Sequence, residues 1–171
     1  EENGNVLTIP AMEGTLFLQA NNVIIAEKLV VNSNVILENA TIIGINNSAI
    51  DYQLNNNCTL TSSTSGWLDV DTLSGNGTLV INSNASISKI DGASIESNND
   101  IRVYGQDSTA GNIRLLEGSR LTLNIPLAVN SIQGSVICNN YSNIKNGKAL
   151  LTIDGNLEDS DVNFAISNGY G

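Results

Sequence analysis

Histidine is absent from this chain of 171 residues, and basic residues are scarce, with seven Lys and Arg against 17 Asp and Glu. Without an imidazole, neither a Ser-His-Asp triad nor a Cys-His nucleophile can be assembled. Nucleic acids and anionic membrane surfaces are bound through clustered Lys and Arg, and no such cluster occurs here. The composition therefore argues against both partner classes, and we attribute the net charge of −10 to solubility.

Long hydrophobic runs and cofactor motifs are also missing. No segment of about 18 apolar residues occurs, so we expect no membrane insertion of this segment. The chain has no phosphate-binding P-loop, no dinucleotide fingerprint and no EF-hand loop, and it predicts no cofactor and no metal site. It begins Glu1-Glu2-Asn3-Gly4, without an initiator Met or a signal peptide, as expected of a processed or truncated segment of a larger protein.

Aromatic residues are few, at 4%, and there are only two prolines, whereas Asn is abundant. Val, Ile and Leu supply nearly all of the apolar volume, and short runs of them are bounded by Asn, Gly, Ser or Asp. Such runs are typical of β-strands. From Ile101 onward, apolar and polar residues alternate with the period of two expected of half-buried strands. The predicted strands are Thr15–Leu18, Val35–Leu37, Thr78–Ile81, Ile101–Val103 and Leu121–Leu123.

The strand signals return at a longer interval of roughly 20–23 residues, which lies within the range of solenoid repeats. A column with this spacing contains Leu16, Leu37, Leu60, Ile81, Val103, Leu123, Ile144 and Ile166. A repeat of this length, with several short strands in each repeat, predicts a coil whose turns stack about 4.8 Å apart. At its corners, Asn tolerates left-handed backbone and can bond to the turns above and below. We therefore expect an all-β fold, a single parallel β-solenoid over residues 1–171, with a β-sandwich as the alternative.

The two cysteines, Cys58 and Cys138, are separated in sequence by close to four turns of this coil. Four turns separate them by about 19 Å along the axis, whereas a disulfide needs Cα atoms within about 7 Å. We therefore predict two free, mostly buried thiols.

Two segments, Leu73–Ile87 and Val35–Ile43, resemble turns of right-handed parallel β-helices. Autotransporter passengers, bacterial adhesins and the pectin-lyase-like superfamily have this fold. The resemblance is one of composition over most of the chain, and it favours a right-handed coil. It implies one of two functions. Enzymes with this fold mostly cleave acidic polysaccharides with carboxylates, calcium or a basic residue, while other members are adhesins or stalks.

The candidate glycan contacts are Trp67, Asp69 and Asp71. Asp69 and Asp71 share one face of a predicted strand beside the only Trp of the chain. An exposed indole could stack on a sugar ring while the carboxylates accept hydroxyl hydrogen bonds. The structural alternative, which we favour, is that the indole covers a seam or an open end of the coil.

Two further sets of charged residues have simpler explanations. Arg102, Arg114 and Arg120 are expected to balance Glu96, Asp100 and Glu117 on neighbouring turns. Glu158, Asp159 and Asp161 are expected to form a charged end-cap that discourages edge pairing.

We therefore predict a non-catalytic extracellular or cell-surface module, an adhesin-like or autotransporter-like β-helical scaffold or stalk with no catalytic residues. Its partner would be a surface glycan or protein, and the chain itself is expected to be a monomer. Two alternatives remain. The first is a polysaccharide-binding or polysaccharide-cleaving β-helix that uses Trp67, Asp69 and Asp71. The second is a segment like a phage tail fibre, in which the turns of three chains intertwine.

Overall fold

The computed structural model describes residues 5–19, 23–38, 41–64, 66–116, 118–139 and 149–166. In these ranges the chain forms 18 β-strands and two short 3₁₀ turns, Ile45–Asn47 and Leu157–Asp159. Every described strand pairing is parallel, and the strands wind into a single solenoid of about seven turns. This confirms the predicted fold class and rules out a β-sandwich, which is built from antiparallel sheets.

Each turn of the coil, or rung, has three sides, which the strand pairings define as faces A, B and C. Face A contains β2 (Thr15–Gln19), β5 (Asn34–Glu38), β8 (Thr59–Ser63), β10 (Thr78–Ile81), β12 (Ser94–Ser97) and the second half of β14 (Ser108–Leu115). Face B contains β3 (Val23–Ile25), β6 (Thr41–Ile43), the first parts of β9 (Leu68–Gly75) and β11 (Ala85–Asp91), then β13 (Ile101–Val103), β15 (Arg120–Leu123) and β18 (Asp161–Ile166). Face C contains β1 (Val6–Ile9), β4 (Lys28–Val31), β7 (Ile50–Leu54), the remainders of β9, β11 and β14, and β17 (Leu151–Ile153).

The strand β16 (Leu127–Cys138) runs around one complete rung. Its first residues pair with β14 and β17 on face C, its middle with β14 on face A, and its end with β15 and β18 on face B.

The core is a set of stacked aliphatic columns inside the coil. Ile101, Val103, Ile113, Leu115, Leu121 and Leu123 are all buried, as the alternation predicts. On the outside of the same strands, Arg102 and Arg114 are exposed and Thr122 is half-buried. A single rung cannot bury its own aliphatic side chains, which leave water only when the neighbouring rungs stack on them. Stacking is therefore the main source of the hydrophobic stabilisation.

The predicted column of the repeat is wrong in register. Leu16 pairs with Val35, and Leu37 pairs with Leu18 and Ser62. Among neighbouring members of the predicted column, Val103 and Leu123 do pair. Another member, Ile144, lies outside the described residues. The true column on face A contains Leu16, Val35, Leu60, Leu79, Ile95, Ile113 and Ile132. The number of residues between successive members differs from rung to rung, and the rungs therefore vary in length more than the predicted 20–23 residues allow. The variation arises because the corner segments differ in length.

Asparagine has the corner role predicted for it. Among the described residues, the non-glycine positions with positive φ are Asn46, Asn47, Asn56 and Asn57. Asn side chains also bond between rungs: the Asn55 Nδ2 donates to Asn32 Oδ1 at 3.0 Å, and Asn130 Nδ2 donates to Asn112 Oδ1 at 2.8 Å. Both bonds link residues on neighbouring rungs.

The two cysteines are free and buried, which confirms the prediction for both thiols. Cys58 directly precedes β8 and Cys138 ends β16, and on face A four pairing steps lead from β8 to β16. Burial raises the pKa of each thiol. No helix in the described part of the chain is long and apolar enough to cross a membrane.

Candidate functional site

The three predicted glycan contacts lie at the start of face B on the β9 rung. Leu68 and Val70 point into the core, so Trp67 and Asp69 point outward on the same rung. Asp71 is also exposed and lies at the corner where β9 passes from face B to face C. Both carboxylates lie outside the coil, but only Asp69 lines the cleft beside the indole. Asp71 lies at the far end of face B from Trp67, so the two carboxylates do not share one face as predicted. A glycan contact stays a prediction.

Trp67 borders a seam in face B. Among the described residues, β6 pairs only with β3, so the hydrogen-bonded ladder of face B is interrupted between β6 and β9. A small cleft of about 60 Å³ lies at this interruption, lined by Ile42, Ile43, Asn47, Ser48, Thr64, Trp67, Leu68 and Asp69. The indole is nevertheless 50% exposed. Its position fits the structural hypothesis for Trp67, and its exposure fits the glycan hypothesis.

The register of face B brings Arg102 to the same patch. Asp69 pairs with Ser86, and Ser86 pairs with Arg102, so Asp69 and Arg102 lie two rungs apart in one outward column. Ser86 is short, and the Arg102 side chain reaches across it to Trp67. The guanidinium carbon lies 5.7 Å from the centroid of the indole, which is a cation–π distance.

Arg102 differs here from the other two arginines of the predicted charge balance. Arg114 forms an ion pair with Glu96 at 3.3 Å, and Arg120 with Asp100 at 2.7 Å, as expected. The hydrogen bond from Arg120 lowers the pKa of Asp100. Arg102 forms no ion pair with a described carboxylate, and its guanidinium instead contacts the Trp67 indole. Glu117 lies outside the described residues.

Tyr104 adds a second exposed aromatic ring. Its backbone N–H donates to the carbonyl of Ile87 at 3.2 Å, which places it on the rung above Ser88, at the end of face B away from Trp67. Its side chain is 43% exposed. We call the surface formed by Trp67, Asp69, Asp71, Ser86, Arg102 and Tyr104 the Trp67 patch.

Two other grooves lie near the first rungs. One, of about 470 Å³, is lined by Asn5, Val6, Leu7, Ile24, Ile25 and Ala26. The other, of about 210 Å³, is lined by Thr15, Asn34, Val35, Ile36, Thr59 and Thr61 on face A. Neither lining contains a charged side chain, so neither offers the acid–base or ionic chemistry of a catalytic site.

The acidic residues near the end of the chain lie on the last described rung. Glu158 and Asp159 belong to the second 3₁₀ turn and Asp161 begins β18, and all three are exposed. Within the described ranges, no three His, Cys, Asp or Glu residues come together as metal ligands would.

Comparison of the chain with protein-family models, with curated proteins and with solved structures finds no match.

Proposed function

We propose that this chain is a non-catalytic, adhesin-like module of an extracellular or cell-surface protein, a rigid β-helical scaffold that displays its outer faces. One observation carries this proposal: the aliphatic columns and parallel ladders extend through about seven turns of a single coil. Such a coil is stiff along its axis because each rung is fixed by its neighbours. Stiffness and an extended outer surface are what a surface scaffold or stalk needs.

The outer surface supports the same proposal. Part of it presents amide and hydroxyl groups in columns that cross several rungs. Face A, for example, presents Thr15, Asn34, Thr59 and Thr78 in one column across four successive rungs. A surface of this kind suits extended contact with a glycan or a protein.

The polysaccharide-cleaving alternative has one observation in its favour, the exposure of Asp69 beside Trp67 and of Asp71 on the same rung. Hydrolysis of a glycosidic bond requires two carboxylates placed around that bond. We expect no release of reducing ends or unsaturated products when the chain is incubated with a panel of neutral and acidic polysaccharides. Product release that disappears in Asp69→Asn would overturn the non-catalytic assignment.

The tail-fibre alternative makes a different prediction about assembly. In that arrangement three chains share each rung, whereas here one chain supplies all three sides of its rungs. We therefore expect a monomer of about 18.0 kDa in sedimentation equilibrium. Surface location is tested separately, by labelling intact cells of the source organism with antibody against the purified chain. Labelling only after the cells are permeabilised would contradict it.

A further inference from the structure

We propose that the Trp67 patch binds a neutral, hydroxyl-rich oligosaccharide across its open surface. The scaffold function does not depend on this inference, and the first step of the argument is the rigidity of the aromatic anchor. Trp67 borders the face B seam through the cleft it shares with Asn47 and Ser48, and it lies under the Arg102 guanidinium. An aromatic ring held on two sides loses little conformational entropy when a ligand packs against its exposed half.

The second step is the set of hydrogen-bonding groups across the Trp67 patch. The Asp69 and Asp71 carboxylates accept hydrogen bonds, and the Arg102 guanidinium offers several N–H donors. Ser86 supplies a hydroxyl on the rung between them. Sugar hydroxyls both donate and accept, so a saccharide matches this mixture, while the apolar face of its ring can cover the indole.

The third step is charge, which selects a neutral ligand over an acidic one. The patch carries two carboxylates and one guanidinium, and the nearby Asp100 is neutralised by Arg120. The whole chain carries a net charge of −10. A uronic acid polymer would therefore be repelled, both at the patch and at long range.

The fourth step is shape, which selects a chain of several sugar units. The adjacent cleft holds about 60 Å³, well below the roughly 300–1,000 Å³ of pockets that enclose a ligand. Tyr104 lies two rungs from Trp67 and at the opposite end of face B, which corresponds to a separation of about 16 Å. Contact with both rings therefore requires an oligosaccharide lying diagonally across the surface, and we expect weak binding, with Kd about 1 mM.

The test uses the intact chain, in which Trp67 is the only Trp, so tryptophan emission reports on this site alone. Cellohexaose, xylohexaose and mannohexaose are titrated to about 10 Kd, alongside the matching disaccharides and hexagalacturonate. We expect a saturable emission change with at least one neutral hexasaccharide, and weaker binding by its disaccharide and by hexagalacturonate.

The variants identify the residues responsible. Arg102→Ala should weaken binding by about tenfold, and Arg102→Lys should restore only part of it, because an ammonium lacks the planar stacking surface. Arg114→Ala is the matched control, an exposed arginine on face A, and should bind like the wild type. Trp67→Ala and Trp67→Phe remove the emission signal, so their binding is measured by calorimetry, with circular dichroism to verify the fold.

Three results would overturn the proposal. They are the absence of saturable binding by any neutral hexasaccharide, tighter binding of hexagalacturonate, and equal loss of binding in Arg114→Ala and Arg102→Ala. If Trp67→Ala does not fold, Trp67→Phe and Arg102→Ala decide the matter, because neither removes a buried side chain.

Discussion

The described glycines with positive φ differ in what surrounds them, and Gly75 is the most tightly enclosed of them. Its φ is +100°, and a Cβ added there would lie 2.0 Å from the carbonyl oxygen of Leu54. That oxygen already accepts hydrogen bonds from the backbone N–H groups of Asn76 and Gly77, at 2.9 and 3.0 Å. The corner between faces C and A therefore depends on a residue without a side chain.

Gly75→Ala should destabilise the coil far more than Gly118→Ala. Gly118 has a similar φ of +87° but no atom within 4 Å of an added Cβ, so it incurs only the left-handed backbone cost of about 1–2 kcal/mol. Gly75→Ala adds the clash with Leu54, and we expect a loss of more than about 3 kcal/mol. Denaturant unfolding of both variants measures the difference. Equal losses in the free energy of unfolding would show that the corner accommodates the added methyl group without a cost in stability.

Tyr52 makes the stability of the coil sensitive to alkaline pH. Its side chain is buried in the core, and burial raises its pKa. The unfolded chain ionises this phenol near pH 10, whereas the folded chain keeps it protonated. Its contribution is therefore fully present below pH of about 10 and is lost as pH rises further, because the unfolded state releases the proton more readily.

Tyr52→Phe removes this titrating group while keeping the ring. We expect the free energy of unfolding of the wild type to fall more steeply above pH of about 10 than that of Tyr52→Phe. Exposed groups and both buried thiols titrate alike in the two proteins, so they cancel in the comparison. Parallel stability curves through the alkaline range would contradict the assignment to Tyr52.

At the scale of strands, the sequence predicts well which segments form strands, but it predicts poorly the register in which those strands pair. The predicted strands Thr78–Ile81 and Ile101–Val103 coincide with β10 and β13. Alternation alone decides which side of a strand is buried, and it is unchanged when a strand shifts by two residues. The predicted column accordingly places Leu37 over Leu16, although Leu37 pairs with Leu18. The lengths of the corner segments set the register, and they follow no fixed count.

The same uncertainty in register explains which part of the Trp67 patch the sequence could predict. The exposure of Trp67 and Asp69 follows from their alternation with Leu68 and Val70. The contact of Arg102 with Trp67 depends on two short rungs, because Asp69 pairs with Ser86 and Ser86 pairs with Arg102. With rungs of the longer, predicted length, Arg102 would lie on a different side of the coil.

At the scale of the whole molecule, acidic residues outnumber basic ones, 17 to seven. Two ion pairs on neighbouring rungs neutralise Glu96 and Asp100, while Glu158, Asp159 and Asp161 on the last described rung form no ion pair with a described residue. Like charges at this end disfavour the addition of another acidic strand to β18. The net charge of −10 also opposes self-association, in keeping with the expected monomer.

The stability of the whole coil should not depend on calcium. A calcium site needs six to eight oxygen ligands around one point, and no three carboxylates in the described part of the chain come together as metal ligands would. Thermal melts with chelator and with millimolar calcium chloride should therefore superimpose once ionic strength is matched with sodium chloride. That match is needed because any salt screens the repulsion within a chain of net charge −10.

A large upward shift in Tm with calcium alone would contradict the prediction, since an ion that binds only the folded state must stabilise it. Such a shift would also favour the calcium-dependent, polysaccharide-cleaving alternative, and Asp69→Asn and Asp71→Asn would then show whether the Trp67 patch holds the ion.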